Sequence, residues 1–381
     1  MYISKEQIAL EKIDVDFKNL VKEADDFAKS TLENTSAMDK LHSLEAQEPT
    51  YRSKGLKIKN GVLEGSTATN EIIFIPQGVV EIEKDAFKNR DRGTSKIIFP
   101  EGLRKIGVSA FEGCPNILYM DVKEPELCYY ADISSDDEID QFSRGYSRFP
   151  STLEEISDHA FHSFGNNSHG FGENLMEYLI LSKTLKKIGV GAFEDSGIRA
   201  IYVNGPQYIS ERCFQGSGLR KAILGDNIIR IEKIAFGSCS RLEKLVFGRK
   251  IKEIGDFAFD FCLALKELKF PDSLKKIGKA AFIECGRLGE IAIPDNVTEI
   301  GENAFSKCKS LEKAILGKGI TFIPECCFSN CGSLKEVIIP DNVTEIANNA
   351  FKNCGEFTIF STAGSYAEQY AKENNIKFQS I

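Results

Sequence analysis

One spacing constrains this chain more than anything else in it. Phenylalanines that follow Ala or Cys stand at Phe87, Phe111, Phe161, Phe193, Phe214, Phe236, Phe259, Phe282, Phe305, Phe328 and Phe351. The intervals are 24, 50, 32, 21 and 22 residues, and then 23 five times in succession. Eleven anchors at a near-fixed period describe one stacked array. The two or three domains that 381 residues would otherwise suggest are therefore not needed.

Aligning the regular repeats on Leu242, Leu265, Leu288, Leu311 and Leu334 gives columns that can be read physically. Apolar residues recur three and five places on, as in Ile291 and Ile293, which is the period of two of a short strand. Pro or Gly follows at Gly248, Pro271, Pro294, Gly317 and Pro340, ending the strand in a turn. A second extended piece comes next, Val297–Ile300 in one repeat. The Ala-Phe-x-x-Cys run then spaces apolar groups at i, i+1 and i+4, which predicts one helical turn. Alone such a unit cannot bury its apolar side; stacked, neighbouring strands pair in parallel and the core becomes continuous.

The composite L-x-x-[ILVA]-x-[ILF]-[PG]-x-x-[VIL]-x-x-I-[GA]-x-x-A-F-x-x-C resembles the BspA-like leucine-rich repeat, from about Leu56 to the end of the chain. Arg90, Phe164, Ser196 and Ser217 replace the cysteine in early repeats, so the first half is less regular. The resemblance implies an α/β repeat solenoid: a right-handed leucine-rich-repeat array with a parallel sheet on one face. It also implies a non-catalytic recognition scaffold for a protein partner or a glycan, of surface or adhesion type, and a location at the cell surface or outside the cell. No signal peptide and no apolar run long enough to span a membrane is seen in the sequence.

Residues 1–48 lie outside the repeat. Ile13, Phe17, Leu20, Val21, Ala24, Phe27 and Ala28 share one helical face, which predicts a helical N-terminal cap or a partner-binding segment. The solenoid is expected over 49–360 in about 11 repeats, with a helical C-terminal cap over 361–381. Insertions fall near 124–143 and 165–173, and long loops of this kind tend to be functional. They offer Tyr129, Tyr130 and Phe171 as candidate contacts.

If the third and fifth positions of each strand face inward, the second and fourth face out. The fourth-position column reads Ile223, Val246, Lys269, Ala292, Ile315 and Ile338, flanked by a column holding Lys221 and Lys244. A solvent-facing sheet should be polar there. Lys221, Ile223, Lys244, Val246, Lys269, Ile315 and Ile338 are thus the candidate binding face, and strand propensity or a covering element is the competing explanation.

Chemistry is hard to find. A net charge of −8 argues against a nucleic-acid binder. No phosphate-binding or dinucleotide glycine motif and no Gly-x-Ser-x-Gly elbow is present, and the acidic run Asp136–Asp140 lacks the EF-hand pattern. No catalytic residue, metal or cofactor is expected. His159 and His162, three residues apart, are the residues on which a metal-dependent or hydrolytic alternative would rest. Of 11 cysteines, seven occupy the +20 column and two (Cys213, Cys327) the Ala column. They read as small buried apolar groups, leaving Cys128 and Cys326 as the candidate exposed thiols. A further alternative is a structural module that assembles through its N-terminal helices; the sequence leaves the oligomeric state open.

Overall fold

Each coil of this chain makes two short strands and then turns back, because its apolar residues alternate twice and are then interrupted by Pro, Gly or Asn. In the computed structural model the described residues are 55–70, 72–90, 94, 96–117, 119–122, 146–165, 178–181 and 183–381. They belong to the larger of two compact units, residues 52–123 and 133–381.

The first strands of the coils form a parallel ladder in three hydrogen-bonded sections, interrupted at the coil of Lys269, which supplies only a bridge. Three strands open it (Ile72–Phe74, Lys96–Phe99, Tyr119–Val122), five follow from Tyr146–Arg148 to Lys244–Val246, and five close it from Glu290–Ala292 to Lys377–Ser380. Residue pairs such as Ile223↔Val246 and Ile315↔Ile338 lie one coil apart. The second, two-residue strands form another parallel ladder, Ile254↔Ile277 and Ile277↔Ile300 among its pairs. It begins on an antiparallel hairpin, Leu56–Lys59 with Val62–Ser66. Between the ladders the anchor phenylalanines form a continuous column. From Phe87 to Phe351 successive rings stack 4.8–5.6 Å apart and nearly parallel.

The run expected as a helical turn is not helical. Around each anchor Phe the chain makes two tight turns, with residues two before and two after the Phe at positive φ: Asp85 and Asn89, Asn303 and Lys307, Cys326 and Asn330. Asp85, Phe87 and Asn89 donate their N–H groups to Val108, Ala110 and Glu112 of the next coil, while Ala86 and Lys88 bond three residues back. An α-helix would commit every N–H to its own coil and leave none for stacking. The i, i+1, i+4 spacing therefore reflects a turn whose alternate amides face the neighbour.

The described residues contain one helix, Tyr366–Glu373, so the α/β description does not hold for them. Nor is the segment over 361–381 simply a helical cap. Ser365 caps the helix by accepting from the Glu368 N–H; Ala367, Tyr370 and Ala371 bury its inner face. The helix then serves as a crossover, because the chain returns as Lys377–Ser380, parallel to Thr358–Ser361. The N-terminal helical expectation for 1–48 lies outside the described residues.

Candidate functional site

The fourth-position column can be traced across the first-strand ladder. Ala222 and Leu224 are fully buried, whereas Lys221 and Ile223, which alternate with them, are half-buried. The same alternation leaves Val246, Ile315 and Ile338 half-buried and facing out, with Lys244 exposed. The ladder adds members that irregular repeats concealed: Ile180 pairs with Tyr202, Tyr202 with Ile223, and Ile338 with Phe360. Aligning on strands rather than on the regular leucines would have exposed them. From Ile180 to Phe360 the column crosses nine coils, roughly 38 Å at ~4.8 Å per strand.

Lys269 is different. Its coil contributes only a single bridge, Glu267↔Glu290, and lies where one five-stranded sheet ends and the next begins. Lys269 and Ala292 are exposed there, so the stripe has two apolar stretches separated by a polar gap. Flanking charges are partly neutralised along the stack, as in Lys313–Glu336 at 2.8 Å. Such exposed pairs contribute little stability. Tyr129, Tyr130 and Phe171 lie outside the described residues.

His159 and His162 come together on the turn side, their rings 5.8 Å apart. His159 Nδ1 is 3.6 Å from Glu194 Oε2, and His162 Nε2 is 3.7 Å from Asp195 Oδ2. Arg212 already holds the buried Glu194 carboxylate at 2.8 Å. Each imidazole thus meets a different carboxylate. No group of three or more His, Cys, Asp or Glu among the described residues is placed to hold a metal ion.

The cysteine column has a structural task. In each regular coil the thiol donates to the carbonyl of the anchor Phe one coil back: Cys239 to Phe214 at 3.0 Å, Cys285 to Phe259 at 3.4 Å, Cys331 to Phe305 at 3.3 Å. Burial pushes the Cys239 and Cys308 thiols up to about 12, so they stay protonated donors and poor nucleophiles. The ten described cysteines are free. Cys326 is half-buried at a positive-φ position; Cys128 lies outside the described residues.

The BspA-type leucine rich repeat region matches this chain in six copies, over residues 56–164, 140–240, 167–285 and 231–358. These segments cover the phenylalanine column and both ladders up to Thr358, leaving the helix and the last strand outside. The chain belongs to the BspA-type leucine-rich-repeat family. Among solved structures it is similar to the pneumococcal vaccine antigen PcpA, with 18% identity over 84% of this chain and 82% of that one and a TM-score of 0.47. A leucine rich cell surface protein of Faecalibacterium prausnitzii A2-165 matches with 20% identity, 85% and 92% coverage and a TM-score of 0.44. A leucine-rich repeat protein of Bacteroides ovatus matches with 21% identity, 84% and 94% coverage and a TM-score of 0.38. No curated protein matches the chain. Among the described residues no helix is long and apolar enough to cross a membrane.

Proposed function

We propose that this BspA-type chain is a non-catalytic recognition scaffold, and that its outward sheet stripe receives a protein partner. One observation carries the reading: a column facing away from the core stays apolar over Ile180, Tyr202, Ile223 and Val246, and again over Ile315, Ile338 and Phe360. Water-facing strands have no need of such a stripe, whereas an interface core does. Lys221, Lys244 and Lys269 beside it supply a polar rim. A rigid solenoid presents these side chains pre-ordered, so little conformational entropy is lost on contact.

The test is the full chain carrying Ile223→Asp together with Ile315→Asp, used as bait beside the wild type in cross-linking capture from intact cells and on a glycan array. Both sites are half-buried and outward, so the double variant should melt within a few degrees of wild type. Loss of a protein captured by the wild type is the expected result. Unchanged capture would remove the sheet stripe from the interface, and array binding that survives in the wild type alone would replace the protein partner by a glycan.

A further inference from the structure

The turns around the anchor phenylalanines place two residues per coil at positive φ, a conformation cheap for Gly and Asn and costly for β-branched or bulky residues. Nine of these places hold Gly, Asn or Asp (Asp85, Asn89, Gly113, Gly191, Asp195, Gly216, Asn303, Asn330 and Asn353), and small or polar residues such as Ser109, His159, Arg212, Glu284 and Lys307 hold most of the rest. Large apolar residues occupy them at Ile234 (φ 58), Phe257 (φ 56) and Phe261 (φ 53), and all three fall in two adjacent coils. Chance substitution would scatter them. What is particular to these two coils is the apolar character of the strained residues, where other coils place Gly, Asn, Asp or mainly small or polar residues, and that points to a function for the side chains.

The side chains form a ridge on the turn side, away from both ladders. Phe261 and Leu263 are 44% and 45% exposed, and Ile234 and Phe257 are half-buried. Ile234 donates its N–H to the Asp256 carbonyl, and Ser238 donates to the Asp260 carbonyl, so the coils of Ile234 and Phe257 lie side by side. Gly237 forms the floor between them. A Cβ there would sit 2.3 Å from Asp260 Oδ1 and 2.6 Å from Ile234 Cγ2. Asp260 Oδ1 is buried with no hydrogen-bond partner, and neither Asp256 nor Asp260 has a salt-bridge partner among the described residues.

We propose that the ridge of Ile234, Phe257, Phe261 and Leu263, with the Asp260 carboxylate at its foot, is a second docking surface. Its occupant is a protein segment carrying an arginine or lysine between apolar side chains. Charge complementarity selects this chemistry: the Asp260 carboxylate, and Asp256, which accepts only the Lys279 N–H at 2.8 Å, have no side-chain cation among the described residues and attract one beside the two phenylalanines through both charge and ring quadrupole. The apolar neighbours of that cation then cover Phe261 and Leu263. Burial pushes the Asp260 carboxyl up to about 6, consistent with a carboxylate that lacks its counter-ion in the free chain.

The experiment pans a displayed random dodecapeptide library on the immobilised full-length chain and measures synthetic copies of the enriched peptides by fluorescence anisotropy. The variants are Phe257→Asn with Phe261→Asn, Asp260→Asn alone, and the sheet variant Ile223→Asp with Ile315→Asp. The expected set is dominated by Arg or Lys flanked by Phe, Leu, Ile or Val. Its binding weakens at least tenfold in both ridge variants and stays within twofold in the sheet variant, which separates this surface from the sheet stripe. The double asparagine variant should also melt at or above the wild-type temperature, since Asn tolerates positive φ. An enriched set without that basic-apolar character, peptides indifferent to the ridge variants, or an asparagine pair that melts below wild type would each overturn the proposal. The last result would show that packing holds the phenylalanines in place.

Discussion

Replacing Phe282 by Ala tests whether this solenoid is held together coil by coil. Phe282 is fully buried. Its ring stacks on Phe259 at 5.2 Å and Phe305 at 5.5 Å, and meets Phe270 edge-on at 5.6 Å. Truncating a buried Phe costs about 3–5 kcal/mol through lost transfer energy and the cavity left behind. Three aromatic contacts, each worth about 0.5–1.5 kcal/mol beyond area, place this site toward the upper end of that range. A loss near 5 kcal/mol is a large share of the roughly 5–15 kcal/mol that stabilises a typical domain. Because Phe282 touches only its own and adjacent coils, the loss should concentrate at two interfaces. Urea unfolding followed by hydrogen exchange should then show the coils around Phe259 and Phe305 losing protection first, and a single wild-type transition separating into two. A loss below about 1.5 kcal/mol, or protection that falls evenly from Leu63 to Ile359, would refute nearest-neighbour coupling.

Two further outcomes follow from the side chains described. In the native chain at pH 8, Cys239, Cys262, Cys285 and Cys308 should not react with a disulfide reagent while half-buried Cys326 does, and denaturant should release the rest; rapid native labelling of Cys285 would contradict the buried thiol column. Asp260 binds a proton more tightly folded than unfolded, about 6 against 3.8, because it is desolvated. The folded state therefore holds an extra proton between about pH 4 and 6, and stability from this group falls as pH rises through that window. Asp260→Asn should raise the urea midpoint relative to wild type at pH 7.5 and lose that advantage by pH 4; a gap that does not change with pH would exclude the desolvated carboxyl.

Much of the architecture was legible because each column is sampled many times. Leu242 through Leu334 set the register, Ile291 with Ile293 marked the strand, and Val297–Ile300 announced the second ladder. The turns were misjudged because Ala-Phe-x-x-Cys has helical spacing. The corrective signal was present in the same columns, where Asn, Asp and Gly cluster two residues either side of the Phe at Asp85, Asn89, Gly113 and Asn303. The opening hairpin was equally readable: Asn60 and Gly61 both take positive φ between Ile58 and Val62, the dipeptide that two-residue hairpins favour. Lys377–Ser380 gave little warning, since a four-residue edge strand with only Phe378 apolar carries almost no pattern. On the sheet stripe, Ile223 and Ile315 were visible in the leucine-aligned repeats, whereas Ile180 and Phe360 fall in repeats that only an alignment on the strands brings into the column.

A stack of near-identical coils also separates two kinds of departure from its own pattern. In the fourth-position column, Ile315 or Val246 suits a strand and its exposure costs the fold little, so the stripe is consistent with both binding and plain strand propensity. At the turn positions the balance is reversed. Ile234, Phe257 and Phe261 each hold a conformation that costs an L-residue about 1–2 kcal/mol, and coils elsewhere in the array, such as that of Asp85 and Asn89, show the inexpensive solution. Replacing outward strand residues by Asp therefore reads binding alone. Replacing the strained residues by Asn reads binding and stability with opposite expected signs, which packing by itself cannot produce. The ridge is for that reason the surface on which a recognition role is most sharply separable from a structural one.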